Sequence, residues 1–450
     1  MQQVLRAPGH RYARRHFDWK VITLVGIAHA SSHFFQLVIP SLYVPLSLEF
    51  GLSFAELGAV VAVFYALSGL GQAASGFAVD RFGAKPMLWF GLGNFVLAGC
   101  VLGAAQGYLW LLAAAAIAGM GNAVFHPVDF SILNRRVSAP RLGHAFSAHG
   151  ITGNLGWAAT PVFIATLTYF FSWRIAAFGA ALLLAAVLAM TVIGRRLLTV
   201  DVVRPVVTND SAIDAAAGVS ASATPRGGAD LPARPVPAKA AGGGSLKALV
   251  SSPVLWGAFL FFLCTSAALS AVQNYTVPLL GSLYGITTVA ASTALSGYMV
   301  GGAIGMVGGG FLVSAGPHSE KIVAGSFLAA GGILALIALQ VVPSSFAVPL
   351  VVLAGMCAGV AGPSRDMLVR KVAPKGATGS VYGLVYSGMD TGSALAPLAF
   401  GALFDAGLRQ APYFGALLAF LVAAGLAAWI ASRARASAGA PAESRAGATA

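Results

Sequence analysis

The sequence predicts an all-α membrane protein with twelve transmembrane helices in two pseudo-symmetric six-helix bundles. Three observations carry this prediction. The 450-residue chain is 58% hydrophobic and only 9% charged, against roughly 25% charged in a soluble globular protein. Apolar runs of about 20 residues, enough to cross a bilayer as helix, recur along nearly the whole chain. They are too long and continuous for the strands of a closed barrel, the other structure that lipid admits. Third, the chain repeats itself. The stretch Gly119–Pro161 returns in register as Gly355–Pro397, with Gly119/Gly355, Met120/Met356, Val124/Val360, Pro127/Pro363, Gly143/Gly379, Gly156/Gly392, Ala158/Ala394 and Pro161/Pro397 matching. Each copy is apolar, then basic, then apolar and Gly-rich with a closing proline: two membrane helices joined by a short charged loop. Upstream, Val44, Pro45 and Leu46 return as Val277, Pro278 and Leu279, and Phe50-Gly51 as Tyr284-Gly285. Parallel six-helix halves of this kind are a transporter architecture.

In chain order, residues 1–18 are polar and basic and read as a cytoplasmic tail. The twelve helices are predicted at 20–45, 54–79, 86–106, 108–134, 142–170, 174–197, 253–280, 288–314, 321–342, 345–371, 377–406 and 410–433. Within the first, Ala28-His29-Ala30 resembles a signal-peptidase site, but the apolar run continues past it, which favours an uncleaved helix. Most helices are rich in Gly and Ala, as close packing in lipid demands. Residues 199–247 are Ala, Pro, Gly, Ser and Thr with scattered charge, a composition that cannot form a packed core. The organisation is therefore an N-terminal bundle (1–198), a flexible cytoplasmic linker (199–247), a C-terminal bundle (248–433) and a disordered tail (434–450).

The net charge of +13 reports topology rather than a nucleic-acid partner. Every Lys and Arg except Arg174, Arg365 and Arg409 falls in the termini or in alternate loops. This is the positive-inside asymmetry, and it places both termini in the cytoplasm of a bacterial-type inner (plasma) membrane. Cys100, Cys264 and Cys357 sit in three separate apolar runs without metal-ligand spacing and read as small core hydrophobes. No cofactor is expected. Each chain has both halves needed to form a cavity, so a monomer is expected.

After the second helix the sequence runs Gly76, Asp80, Arg81, Gly83, Lys85, at the spacing G-x-x-x-D-R-x-G-x-[RK]. It resembles the signature of the major facilitator superfamily. Ala84 stands where that signature often has a base, and the second copy, Gly310 to Pro317, lacks the acid and the arginine. Within the superfamily, Val124-Phe125-His126-Pro127 in the fourth helix resembles the VFHP element of the fosmidomycin resistance proteins. Gly153-Asn154 and Gly156 with Pro161 resemble their GN-x-G pattern, and His29, Gln36, Pro40 and Pro45 of the first helix also fit. Two positions depart. His33 occupies the place of an Asp often found between the helix-1 His and Gln, and Val128 follows Pro127 where an acid is common, with Asp129 next. The resemblance implies a major facilitator fold and drug–proton antiport.

Ionisable groups within a bilayer are costly, so each is a functional candidate. Asp390 lies near the middle of the eleventh helix, at the repeat position of Asn154. It either exchanges a proton as the cavity alternates or packs as a hydrogen-bonded acid. His29 and His33 are four residues apart on one helical face, which suits proton transfer or ligand binding, or hydrogen bonds to neighbouring helices. Gln36 extends that face. His126 stands beside Pro127, which must break a backbone bond and bend the fourth helix; it and His149 either bind substrate or satisfy freed backbone. Asn154, Trp157, Tyr275 and Tyr386 are further candidates for a substrate cavity, as are the aromatics Phe34, Phe35 and Tyr382, against a reading of plain packing. Asp129 and Arg365 occupy matching repeat positions, and with Asp366 they are expected to pair across the halves and gate the cytoplasmic mouth; Arg365 binding an anionic substrate, or pairing with Asp366, is the alternative. Asp80, Arg81 and Lys85 are expected to gate by meeting the start of the eleventh helix near Thr378 and Gly379.

No nucleophile–base set or metal-ligand spacing suggests an enzyme, and no G-x-x-x-x-G-K-[ST] loop suggests an ATP-driven pump. The expected function is alternating-access transport, most simply proton-coupled export of a small fosmidomycin-like drug. The alternatives are a proton-linked importer of a small metabolite or anion, and a non-transporting membrane sensor. The expected partners are a small-molecule substrate, protons and lipid.

Overall fold

The computed structural model describes residues 8–199, 252–315, 319–372 and 378–439, and these are helical with short connections. Helix α1 (Pro8–Gln36) is continued by two short helical pieces, Val38–Ser41 and Tyr43–Phe50. Then follow α2 (Phe54–Phe82), α3 (Ala84–Gly103) and α4 (Tyr108–Asn122, resumed as Phe125–Arg136). Helix α5 (Leu142–Phe170) and α6 (Trp173–Ile193, with a last piece Arg195–Leu198) complete the first half. The second half contains α7 (Pro253–Tyr284), α8 (Thr288–Ala315), α9 (Ser319–Ala338), α10 (Ser344–Val372), α11 (Thr378–Asp405) and α12 (Ala411–Gly439).

Most predicted bounds fall within a few residues of these. The first helix is a correction: its apolar run is not one rod but breaks at Leu37 and Leu42, around Pro40 and Pro45. The fourth helix breaks at Ala123 and Val124, just before Pro127, as a residue without a backbone N–H requires. Helix α12 runs to Gly439, past its expected end, so the start of the expected tail is helical. The linker expected at 199–247 lies outside the described residues, apart from Thr199.

Packing repeats with the sequence. Helix α1 packs on α5 as α7 packs on α11; α2 on α4 as α8 on α10; α3 on α6 as α9 on α12. The glycines shared by the two copies explain why. A Cβ at Gly119 or Gly355 would strike the carbonyl of Phe64 or Tyr298, on the neighbouring helix of its own half. One at Gly156 or Gly392 would strike the carbonyl of Ala30 or Leu263 in the same way. In lipid, where apolar burial drives no association, such close backbone approach is what holds helices together. Gly51 and Gly285 also serve one job twice: each ends its helix with a left-handed φ, 64° and 65°.

The halves meet through α2 on α11 and α5 on α8, a symmetric pair of contacts. At the Gly51 end the seam is tight. Asp405 of α11 accepts hydrogen bonds from the backbone N–H groups of Phe54 (2.9 Å) and Ala55 (2.8 Å), at the start of α2. The Tyr43 hydroxyl donates to Asn274 Oδ1 at 3.1 Å across the seam, and behind it, within the second half, the Tyr275 hydroxyl donates to the Pro397 carbonyl. Outward, Leu70, Phe77, Tyr169, Phe170, Leu182, Ile193 and Phe311 are exposed, an apolar belt that calls for lipid. Cys100 joins this outer surface rather than the core; all three cysteines are free.

Among the described residues, nine helices are long and apolar enough to cross a membrane; α1, α5 and α11 are not among them. These three carry His29, His33 and Gln36; His149 and Asn154; and Asp390. The helices that dilute their apolar character with polar side chains are the ones holding most of the candidate site.

Candidate functional site

The first half encloses a cluster of four histidines around one carboxylate. Asp129 on α4 is fully buried. Its Oδ2 lies 3.1 Å from His149 Nε2 on α5, a hydrogen bond, and 3.0 Å from His29 Nδ1 on α1. The second approach is off the angle of a hydrogen bond, so among the described residues His29 Nδ1 is without a hydrogen-bond partner, as are Asp129 Oδ1 and His33 Nδ1. The His29 and His149 rings are stacked, with centroids 3.5 Å apart and planes at 22°. His126 completes a triangle at 5.5 Å from His29 and 6.0 Å from His149, and His33 lies 4.6 Å from His29. His29 and His149 are 2% and 7% accessible, while His126 is exposed and forms the open edge of the cluster.

Local sequence explains the convergence. The four-residue spacing puts His29 and His33 on one face of α1. Gly153 on α5 leaves the room they need: a Cβ there would come within 3.1 Å of His29 Nε2 and 2.9 Å of His33 Cε1. Pro127 interrupts α4 two residues before Asp129. An isolated buried carboxylate would cost several kcal/mol, which only close polar partners offset; here the imidazoles are those partners.

A second polar chain abuts the first. Trp157 Nε1 donates to Gln36 Oε1 (2.9 Å), and Gln36 Nε2 donates to Asn122 Oδ1 (3.2 Å). Asn122 Oδ1 also accepts from Ser32 (2.9 Å), and Asn122 Nδ2 donates to Ser68 (2.7 Å). The His33 ring lies 4.2 Å from that of Trp157, which joins the two groups. Sequence reasoning missed Asn122, Ser32 and Ser68. Asn122 stands two positions before the Val-Phe-His-Pro element, the one signal that was present.

Asp390 stands apart. It lies where α11 crosses α2, so close to Gly69 that a Cβ there would come within 3.1 Å of its Oδ2. Among the described residues it has no hydrogen-bonding or charged partner. Its repeat counterpart Asn154 only bonds its own helix, at the Gly150 carbonyl (3.0 Å).

Several expectations are corrected. In this conformation Asp129 does not meet Arg365: its carboxylate is enclosed by His29 and His149, while Arg365 lies over the Phe262 ring of α7 at 5.3 Å. Tyr275 does not line a cavity. It is fully buried at the Gly51 end, ringed by Tyr43, Phe54, Phe400 and Phe404. Phe34 and Phe35 are likewise packed, against Phe163 and Phe95. Asp80 and Arg81 are exposed, and Lys85 lies over Trp89 at 5.6 Å; the contact expected between Asp80 and the start of α11 lies outside the described residues. The side chains of Asp366, Thr378, Gly379, Tyr382 and Tyr386 lie outside the described residues.

The family model of the Major Facilitator Superfamily matches residues 25–397. The chain belongs to this superfamily of transporters. The fosmidomycin resistance protein of Escherichia coli (strain K12) is 32% identical over 182 residues, 39% of this chain and 42% of that protein, so the match spans less than half of either. The probable nitrate/nitrite transporter NarK2 of Mycobacterium tuberculosis (strain ATCC 25618 / H37Rv) is 26% identical over 361 residues, 79% of this chain and 82% of that protein. Among solved structures, a bacterial homolog of the human lysosomal transporter Spinster, inward-facing and occupied, has the same fold, with a TM-score of 0.65 at 14% identity over 94% of this chain and 97% of that one. The superfamily accounts for the twelve helices and for a chain that moves molecules rather than converts them.

Proposed function

We propose that the protein is a proton-coupled secondary transporter of a bacterial inner membrane, exporting a small organic compound by antiport through alternating access. The observation that carries this reading is Asp390, a carboxyl without a partner among the described residues at the crossing of α2 and α11, where the halves must move against each other. A carboxyl there is placed to exchange a proton each time the seam opens. With the basic loops and both termini in the cytoplasm, the sealed Gly51 end is the outer one and the conformation is inward-facing. His33, Gln36, His126 and Trp157 then form the polar part of the substrate surface, and a single chain suffices.

The partial likeness to a fosmidomycin resistance protein makes that drug the first substrate to try. Its accumulation in an efflux-deficient bacterial host should fall when the protein is present, and a protonophore should abolish the difference. Unchanged accumulation, with the protein detected in the membrane, would remove this drug as the substrate and bring uptake to the front. The longer match to a probable nitrate/nitrite transporter supports a second one, uptake of a small anion with Arg365 as its counter-charge. Proton-driven anion uptake by proteoliposomes, lost in Arg365→Gln, would bring it forward.

A further inference from the structure

We infer that His29, His126 and His149 form a binding site for a divalent first-row transition metal ion of the zinc, cobalt or nickel class, with Asp129 orienting two of the imidazoles and balancing the charge. This goes beyond transport and does not depend on its direction or coupling.

One ring nitrogen from each of the three histidines lies within 4.8 Å of the other two. In a tetrahedral site with metal–nitrogen bonds of about 2.0–2.1 Å, ligand nitrogens stand about 3.4 Å apart. Closing the triangle thus moves each nitrogen on the order of 1 Å, and the stacked His29 and His149 rings must also turn so that both lone pairs point at one ion. Asp129 Oδ2 meets His29 at Nδ1 (3.0 Å) and His149 at Nε2 (3.1 Å), so the opposite nitrogens of those two rings are the ones left to bind a metal. Asp129 stands to His149 and His29 as carboxylates stand to metal-bound imidazoles, fixing ring orientation and raising ligand basicity. The exposed edge at His126 supplies an entry path.

Electrostatics decides between a cation and an anion. An anion would need charged imidazoles and would meet the Asp129 carboxylate at the centre of the cluster. A dication gains from that carboxylate, and three neutral imidazoles supply lone pairs at no further cost in charge. Imidazole selects zinc, cobalt, nickel or copper, whereas magnesium and calcium prefer oxygen ligands.

The test is a Co2+ titration of the full-length, tag-free protein in detergent, followed by visible absorption. One equivalent per chain should give the intense band of a low-coordinate site; Zn2+ should displace it and Mg2+ should not. His126→Ala, at the exposed edge, should weaken binding at least about tenfold, and Asp129→Asn by about 10- to 100-fold. His144→Ala, an exposed imidazole of α5 outside the cluster, should change nothing. The inference is overturned if one equivalent of Co2+ gives no band, if the band survives both His126→Ala and His149→Ala unchanged, or if Mg2+ competes as well as Zn2+. Asp390→Asn should keep the band while losing proton coupling, so each proposal can fail without the other.

Discussion

At the scale of single residues, polar side chains in this molecule are either tied into networks or left conspicuously alone. Asn122 is the most connected, joining Ser32, Gln36 and Ser68. Asn122→Ala should strand these groups and destabilise the protein by about 1–3 kcal/mol, read as a lower melting temperature in detergent. Asp390 is the opposite case. Asp390→Asn should abolish proton-dependent transport by proteoliposomes while Asp390→Glu retains part of it; full activity in the Asn variant would take the proton role away from this position. Glu49, beyond the membrane span of α1, is held below the usual carboxylate range first by its hydrogen bond from Trp173 and then by Arg174, 2.6 Å away. A depressed carboxylate contributes stability above its unfolded value, and that contribution fades as pH falls through the folded one. Glu49→Gln should therefore lower the melting temperature at neutral pH, and the gap from the parent protein should close below about pH 4. The pair is exposed, so the effect should be small.

At the scale of elements, the helices are held by glycine at close crossings. Gly156→Ala would drive a Cβ into the Ala30 carbonyl and force α1 and α5 apart, at about 1–3 kcal/mol. Gly150→Ala, six residues earlier on α5, has open space around the new Cβ and should gain up to about 1 kcal/mol from helix propensity. Thermal melts of the two variants should shift in opposite directions. A shift of the same sign would mean that α5 stability is set elsewhere. The repeat made Gly119, Gly156, Gly355 and Gly392 legible as shared positions. That each meets a carbonyl of a neighbouring helix is a matter of helix register, which no local pattern encodes. The break of the first helix was likewise legible only as its prolines, Pro40 and Pro45.

At the scale of the whole molecule, the two halves are latched at one end. Asp405 of the second half caps α2 of the first, alongside Tyr43, Asn274 and Tyr275. A cap of this kind is worth about 1 kcal/mol, enough to shift a two-state equilibrium about fivefold. Asp405→Ala should thus favour the conformation open at the Gly51 end. Distances between spin labels placed there on the two halves should show the longer population growing; an unchanged distribution would mean the aromatic seam around Tyr275 holds the latch alone.

The sequence alone determined the membrane solvent, the twelve helices, the duplication and the superfamily. Each of these follows from composition, run length and internal repetition, which are properties of the chain read in order. It also singled out His29, His33, His126, His149 and Asp129 one by one, because a titratable group is conspicuous in an apolar run. Only the tertiary structure decided that they form one cluster, and that Asp129 sits among the histidines of its own half in this conformation. Asp129 and Arg365 are related by the repeat, but symmetry relates positions and not partners. The partner of a buried charge is set by how α1, α4 and α5 rotate against each other, and that rotation is fixed by packing spread over three separate stretches of the chain.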